Sequence, residues 1–232
     1  MLLDVQTILV PQGAEYRAVC RGLRDVLNPP AVFPIPVGPT ALTATLERLQ
    51  QAGCLFDGQH LLVMGLCGSL TPDLTVGTEV LYEACVSTQP AQTGKWLECD
   101  RGLTSQIHTL LGGAIPSVKA VTSDRVISRS LEKRQLAQTT QAEVVDMEGF
   151  AALAVLTGLG VAVATLRVIS DDSQHDIPDL SHAFAANGSL KPVSLALALL
   201  KQPIAAVGLI RGSLKSLKIL QNLTSELFKN SL

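Results

Sequence analysis

The stretch VVDMEGFAALAVLTGLGVAVATLRVISDD, residues 144–172, decides how this chain is read. Its first half, FAALAVL, is made of good helix formers, and Gly158-Leu159-Gly160 then interrupts the pattern. The second half, VAVATLRVIS, is a β-branched run that suits a strand buried on both faces. A helix feeding such a strand through a short glycine turn predicts a parallel sheet layered with helices. Ligands in such sheets bind beyond the carboxyl ends of the strands, so Ser170, Asp171 and Asp172 emerge where a site is expected. Both acids also have bland readings. Glu148, at the start of the helix, would complement the positive end of the helix dipole, and Asp171 would serve as a cap or turn residue.

The uncharged run 149–166 is long enough to span a bilayer, but its glycine break and the acids at both ends argue for a globular core. Outward from it, strands are expected at 7–10, 60–66, 76–86, 117–122 and 161–169, with an extended segment at 31–37. Helices are expected near 14–26, 40–52, 102–111, 129–138 and 147–157; in the second, Leu42, Leu46 and Leu49 recur at helical spacing. This alternation predicts one α/β domain over residues 1–232, with a mixed, largely parallel central sheet flanked by helices. The polar segment 172–190, with Pro178 and Gly188, reads as a mobile loop. From Pro203 onward a helical extension, 203–232, puts Val207, Ile210, Leu214 and Leu217 on one side and Arg211, Lys215 and Lys218 on another. It reads as a surface or interface helix, or as a peripheral membrane contact.

Apolar residues make up 47% of the chain and charged residues 16%, which excludes a disordered chain. The formal charge of −2 gives no attraction for nucleic acid, so a small-molecule substrate is expected. Cys20, Cys54, Cys67, Cys85 and Cys99 are odd in number and lack CxxC pairing, as expected of thiols in a reducing cytoplasm. No signal sequence is expected from the opening residues, because Asp4 and Gln6 interrupt their apolar run. His60, His108, His175 and His182 have no metal-ligand spacing, so no metal or organic cofactor is expected. The chain has neither a Gly-x-Ser-x-Gly elbow nor a phosphate-binding Walker loop.

DMEG-x-A, beginning at Asp146, followed some twenty residues later by RVISDD, resembles the signature of the nucleoside phosphorylase and methylthioadenosine/adenosylhomocysteine nucleosidase superfamily. The resemblance implies that Met147 packs on ribose, Glu148 holds the ribose hydroxyls and Asp171, after Ser170, serves the purine at N7 as general acid. VMGLCGSLTPDLTVGTEVL, residues 63–81, resembles the family's glycine-rich strand end, which implies ligand contacts at Gly65, Cys67 and Gly68. TILVPQGAEYRAV, residues 7–19, resembles its first strand and loop, and places Glu15 where nucleosidases activate water.

Two departures accompany the match. Val63 and Met64 stand where phosphorylases carry a phosphate-binding arginine, which leaves Arg17 as the candidate to hold inorganic phosphate as a co-substrate. Val126 and Ile127 stand near where nucleosidases stack an aromatic ring on the base. Glu15-Tyr16-Arg17, the ISDD ending and the tail together resemble the hopanoid-associated phosphorylases, which implies an adenosyl lipid as substrate. The family resemblance also implies a homo-oligomer. The expected activity is thus cleavage of a purine N-glycosidic bond, by phosphorolysis or hydrolysis. Non-catalytic nucleoside sensing is the alternative, and a purely structural oligomer a third.

Overall fold

The computed structural model describes residues 3–92, 94–185 and 187–229, and strands and helices alternate through most of its length. In chain order these are β1 (Thr7–Pro11), α1 (Ala14–Gly22), β2 (Ala31–Ile35), α2 (Pro39–Gln51), β3 (His60–Ser69) and β4 (Glu79–Ser87). Then come β5 (Leu97–Glu98), α3 (Arg101–Leu110), β6 (Ser117–Thr122), α4 (Ser130–Thr140), β7 (Val144–Asp146) and α5 (Gly149–Gly158). The chain ends with β8 (Ala162–Asp171), α6 (Pro192–Lys201) and α7 (Pro203–Lys229). The run 149–166 therefore divides between α5 and β8, as its glycines predict. No helix among the described residues is long and apolar enough to cross a membrane.

The sheet is mixed and mostly parallel: β1 pairs with β2 and β3, β3 with β8, and β6 with β4 and β7 in parallel, against antiparallel β3–β7, β4–β5 and β4–β8. Its pairings form a closed ring through β3, β8, β4, β6 and β7. That closure brings the end of β3 between two acid-bearing segments, because Gly68 pairs with Val145 on one side and Asp171 on the other. The β3–β8 register slips between Cys67 and Gly68, leaving Ser170 as an extra residue. Such a bulge bends the strand and re-aims the side chains beside it.

Apolar layers cover both faces. Leu42 and Leu46 of α2 and Leu153 and Leu156 of α5 pack on one face of the sheet. Ala18 and Val19 of α1 and Leu103 and Ile107 of α3 pack on the other, together with Leu220, Leu223, Leu227 and Phe228 of α7. The segment expected as an extension is thus part of the core over its second half. Nearer its start, α7 rests on the end of β8, where the buried Ser216 hydroxyl donates to the Ile169 carbonyl at 2.5 Å. Outward-facing Ile204, Val207, Ile210 and Leu214 remain exposed, Ile204 at 91% and Leu214 at 63%, whereas Leu217 packs against the core.

Candidate active site

Glu15, Cys67, Gly68, Val126, Ile127, Met147, Glu148, Ser170 and Asp171 line one cavity of about 210 Å³. Residues expected from four separate stretches of sequence therefore meet in one place. Gly65 and Arg17 do not line it. Arg17 lies exposed on α1, so the arginine expected to hold phosphate is turned away from the cavity.

The two glycines also leave room for side chains of the site. At Gly65 (φ +155°) a Cβ would collide with Arg167 and lie 2.7 Å from Glu15 Oε1. At Gly68 a Cβ would lie 2.8 Å from Asp171 Oδ2. Each missing side chain is thus space occupied by a charged group of the site.

Glu148 is the residue before the first turn of α5, and its carboxylate makes no capping bond. Its side chain is instead aimed across the fold. Oε1 accepts from the Gly38 amide at 3.3 Å, and Oε2 lies 3.4 Å from Arg167 Nη2. Asp171, the last residue of β8, likewise does not act as a helix cap: Ser170 Oγ lies 2.8 Å from Oδ1, and Lys133 Nζ donates to Oδ2.

Arg167, unremarked in sequence, anchors the acidic side. It is fully buried on β8 and reaches Asp146 Oδ2 at 3.2 Å and Glu148 at 3.4 Å. Asp146 is further held by the Thr122 hydroxyl at 2.7 Å and the Gly149 amide at 3.0 Å. Burial works against the Arg167 charge, but Asp146, Glu148, Tyr82 and Glu15 together outweigh it and hold the guanidinium protonated. One guanidinium faces three carboxyls here, which compete for it. Burial pushes Glu15 up to about 7, against the opposing pull of Arg167 and of the Leu66 amide, which donates to its Oε1 at 2.6 Å. Burial also lifts Glu148, to about 8, with Arg167 opposing and Asp146 and Glu15 adding to the rise. Burial raises the Cys67 thiol as well, which leaves it unreactive.

This arrangement sets a stability prediction. Arg167→Met would leave Asp146 and Glu148 buried without a cation, a change that typically costs about 3–5 kcal/mol. The expected result is a Tm lowered by roughly 6–20 °C, and an unchanged Tm would show that Arg167 does not hold the acids in place.

From the segment 172–190, expected as a mobile loop, Ile177, Leu180 and Phe184 line the cavity. Backbone bonds tie the segment down, Ile177 to Ser128 at 2.9 Å and Val37 to Gly188 at 3.3 Å. Phe184 puts an aromatic ring in the cavity lining, where the 122–128 stretch offers none. Its only signal in sequence is a lone phenylalanine in a polar loop, which no periodicity picks out. Lys133 was equally hidden, because α4 reads as a polar surface helix. Among the described residues no group of His, Cys, Asp or Glu is arranged to hold a metal ion.

The family model of the Phosphorylase superfamily matches residues 13–201. The chain belongs to the phosphorylase superfamily. The match takes in every site residue named above, and within this superfamily fold the acids converge at the end of β3. A comparison with the curated proteins finds no match. Among solved structures, the chain is similar to the 5'-methylthioadenosine/S-adenosylhomocysteine nucleosidase of Helicobacter pylori in complex with butyl-thio-DADMe-Immucillin-A: TM-score 0.72, 17% identity, 97% of this chain and 99% of that one. Futalosine hydrolase of the same organism gives a TM-score of 0.72 at 15% identity, covering 98% of both chains. A putative 5'-methylthioadenosine/S-adenosylhomocysteine nucleosidase from Borrelia burgdorferi bound to adenine gives 0.70 at 12% identity, over 97% of this chain and 99% of that one. At these identities the likeness is one of superfamily fold. The family match ends at Lys201, just before α7, whereas the structural likeness runs over nearly the whole chain.

Proposed function

We propose that this chain is an enzyme that hydrolyses the N-glycosidic bond between ribose and an adenine-type base. The observation that carries the reading is the shared cavity, which Glu15, Glu148, Ser170 and Asp171 all line. Breaking the bond leaves positive character on the sugar and negative charge on the base, so a site needs acids at both ends of the bond. Asp171 would face N7 of the departing base and neutralise it. Glu148, supported by Gly38 and Arg167, would hold the ribose hydroxyls beneath Met147 and set the anomeric carbon against its nucleophile. Glu15, tuned by burial to about 7, would take a proton from the attacking water.

Water is favoured over phosphate because Arg125, which lines the cavity, and Arg167, which backs Glu148, are committed elsewhere. Arg125 pairs with Glu132, and Arg167 pairs with Asp146 and Glu148. The test follows adenine release from methylthioadenosine and adenosine with and without inorganic phosphate. Release independent of phosphate, giving the free sugar, supports hydrolysis; strict phosphate dependence with a ribose 1-phosphate product selects phosphorolysis. Tight adenine binding without any product would select the sensing alternative.

A second observation favours an adenosyl lipid, of the adenosyl-hopanoid kind, as the natural substrate. A neighbouring cavity of about 840 Å³ shares Ser170, Asp171, Ile177 and Leu209 with the first and is walled by the start of α7. Around it, α6 and α7 expose Val193, Leu197, Leu200, Ile204, Val207, Ile210 and Leu214. An apolar strip beside a roomy cavity suits a substrate drawn from a membrane surface, and the exposed Arg211 and Lys218 suit anionic headgroups. The wild-type protein is expected to co-sediment with anionic liposomes, and Ile204→Glu/Leu214→Glu to lose most of that binding while keeping its Tm. Truncation of α7 is unsuitable for this purpose, since its second half is core. If the paired substitution instead leaves liposome binding intact and dissociates a homo-oligomer, the strip is a subunit interface.

A further inference from the structure

Lys133 is the one buried residue of α4, and its side chain is fully inaccessible. A lysine buried on a largely polar helix is costly unless its charge is used. Its Nζ donates to Asp171 Oδ2 and to the Asp172 carbonyl, the latter at 2.6 Å. Neighbouring charges are occupied elsewhere. The Asp172 carboxylate accepts from the His175 ring and from the Gln174 and His175 amides, Asp176 accepts from the Ser130 amide, and Glu132 pairs with Arg125. The Lys133 ammonium is thus aimed at the far oxygen of the one side chain proposed to protonate the leaving base.

We infer that Lys133 is a relay residue that supplies, through Asp171, the proton delivered to the departing base. The inference rests on the proposed role of Asp171. As the C1′–N9 bond breaks, its electron pair goes to the base. With substrate bound and Asp171 carrying a proton on Oδ1, that proton passes to N7 while Lys133 gives one to Oδ2. Asp171 is then protonated on the other oxygen and Lys133 is a neutral amine; after the base has left, Oδ2 returns its proton to Lys133 and solvent restores the one on Oδ1. Ser170 fits the cycle: its Oγ lies 2.8 Å from Asp171 Oδ1 and 3.2 Å from the Cys67 carbonyl, so its hydroxyl can turn from one acceptor to the other when Oδ1 carries a proton.

The experiment compares wild type, Lys133→Met, Lys133→Arg, Asp171→Asn and the double variant Lys133→Met/Asp171→Asn, with Tm recorded for each. The substrates are adenosine, methylthioadenosine and two ribosides whose leaving group needs no proton at N7, 4-nitrophenyl riboside and N7-methylated adenosine. Lys133→Met should lower kcat for adenine release about 100-fold, in the range of general-acid effects. It should leave the proton-independent ribosides within about threefold of wild type. In the Asp171→Asn background it should cause no further loss, because the two residues act as one unit. Lys133→Arg keeps the charge but holds its proton too tightly to give it up, so it should stay at least about tenfold slow. An equal loss on every substrate, independent losses in the double variant, or full activity in Lys133→Arg would each overturn the relay. If Lys133→Met fails to fold, the arginine variant decides the question. A wild type that releases no adenine refutes the proposed function itself, whereas an active wild type matched by active Lys133 variants refutes only the relay.

Discussion

Asp171→Asn is expected to lower kcat for adenine release about 1,000-fold while changing KM only a few-fold. The amide preserves the shape of the side chain and its hydrogen bond with Ser170, so the purine should still bind. It cannot pass a proton to N7, so the base must leave as an anion. Lys133 gives the prediction an added edge, because in this variant a buried ammonium loses its carboxylate partner and keeps only the Asp172 carbonyl. Some stability should therefore be lost alongside activity, and Tm measured with the kinetics separates the two effects. Wild-type rates in Asp171→Asn would remove this residue from the chemistry.

Glu15→Gln carries the second large effect, again about 1,000-fold on hydrolysis, since a glutamine cannot accept a proton from water. The pH dependence tests the assignment independently. Glu15 is active as the carboxylate and its carboxyl is raised to about 7, so wild-type hydrolysis should climb as pH rises through about 7 and fall away below it. Stability runs the opposite way. Both Glu15 and Glu148 are raised above their unfolded value of 4.5, so each contributes stability that is complete below about pH 4.5 and lost as pH rises through 7 to 8. Glu15→Gln removes one such group and should raise Tm relative to wild type at pH 9, by roughly 2–4 °C for each kcal/mol relieved. An inactive variant that is more stable than wild type at high pH identifies a residue held for chemistry against the preference of the fold.

Much of this architecture was legible because its signals are local. The glycine break at 158–160 separated α5 from β8 correctly, and the apolar runs placed β1, β3, β4 and β6 to within a few residues. The three-residue β7 and two-residue β5 were missed, because strands so short carry no alternation to detect; they exist through the pairing partners that the fold supplies. In the site, residues carried by a motif came out together: Glu15, Met147, Glu148 and Asp171 all reach one cavity. Those whose roles depend on long-range packing did not. Arg167 sits inside an apolar strand, where its charge could only be placed once Asp146 and Glu148 were seen beside it. Lys133 lies on a helix with an ordinary surface composition, and Phe184 on a loop without pattern. Arg17 illustrates the converse, since it was put forward to hold phosphate in place of the arginine missing at Val63 and Met64, whereas in the fold it lies exposed on α1.

The central claim is that Asp171 and Glu148 grip opposite ends of one sugar-to-base bond. A crystal structure with a non-hydrolysable adenosine analogue tests it most directly. The account predicts adenine N7 within hydrogen-bonding distance of Asp171, the ribose hydroxyls on Glu148, and a water between Glu15 and the anomeric carbon. An analogue bound with its base turned from Asp171, or lodged outside the cavity these acids share, would contradict it.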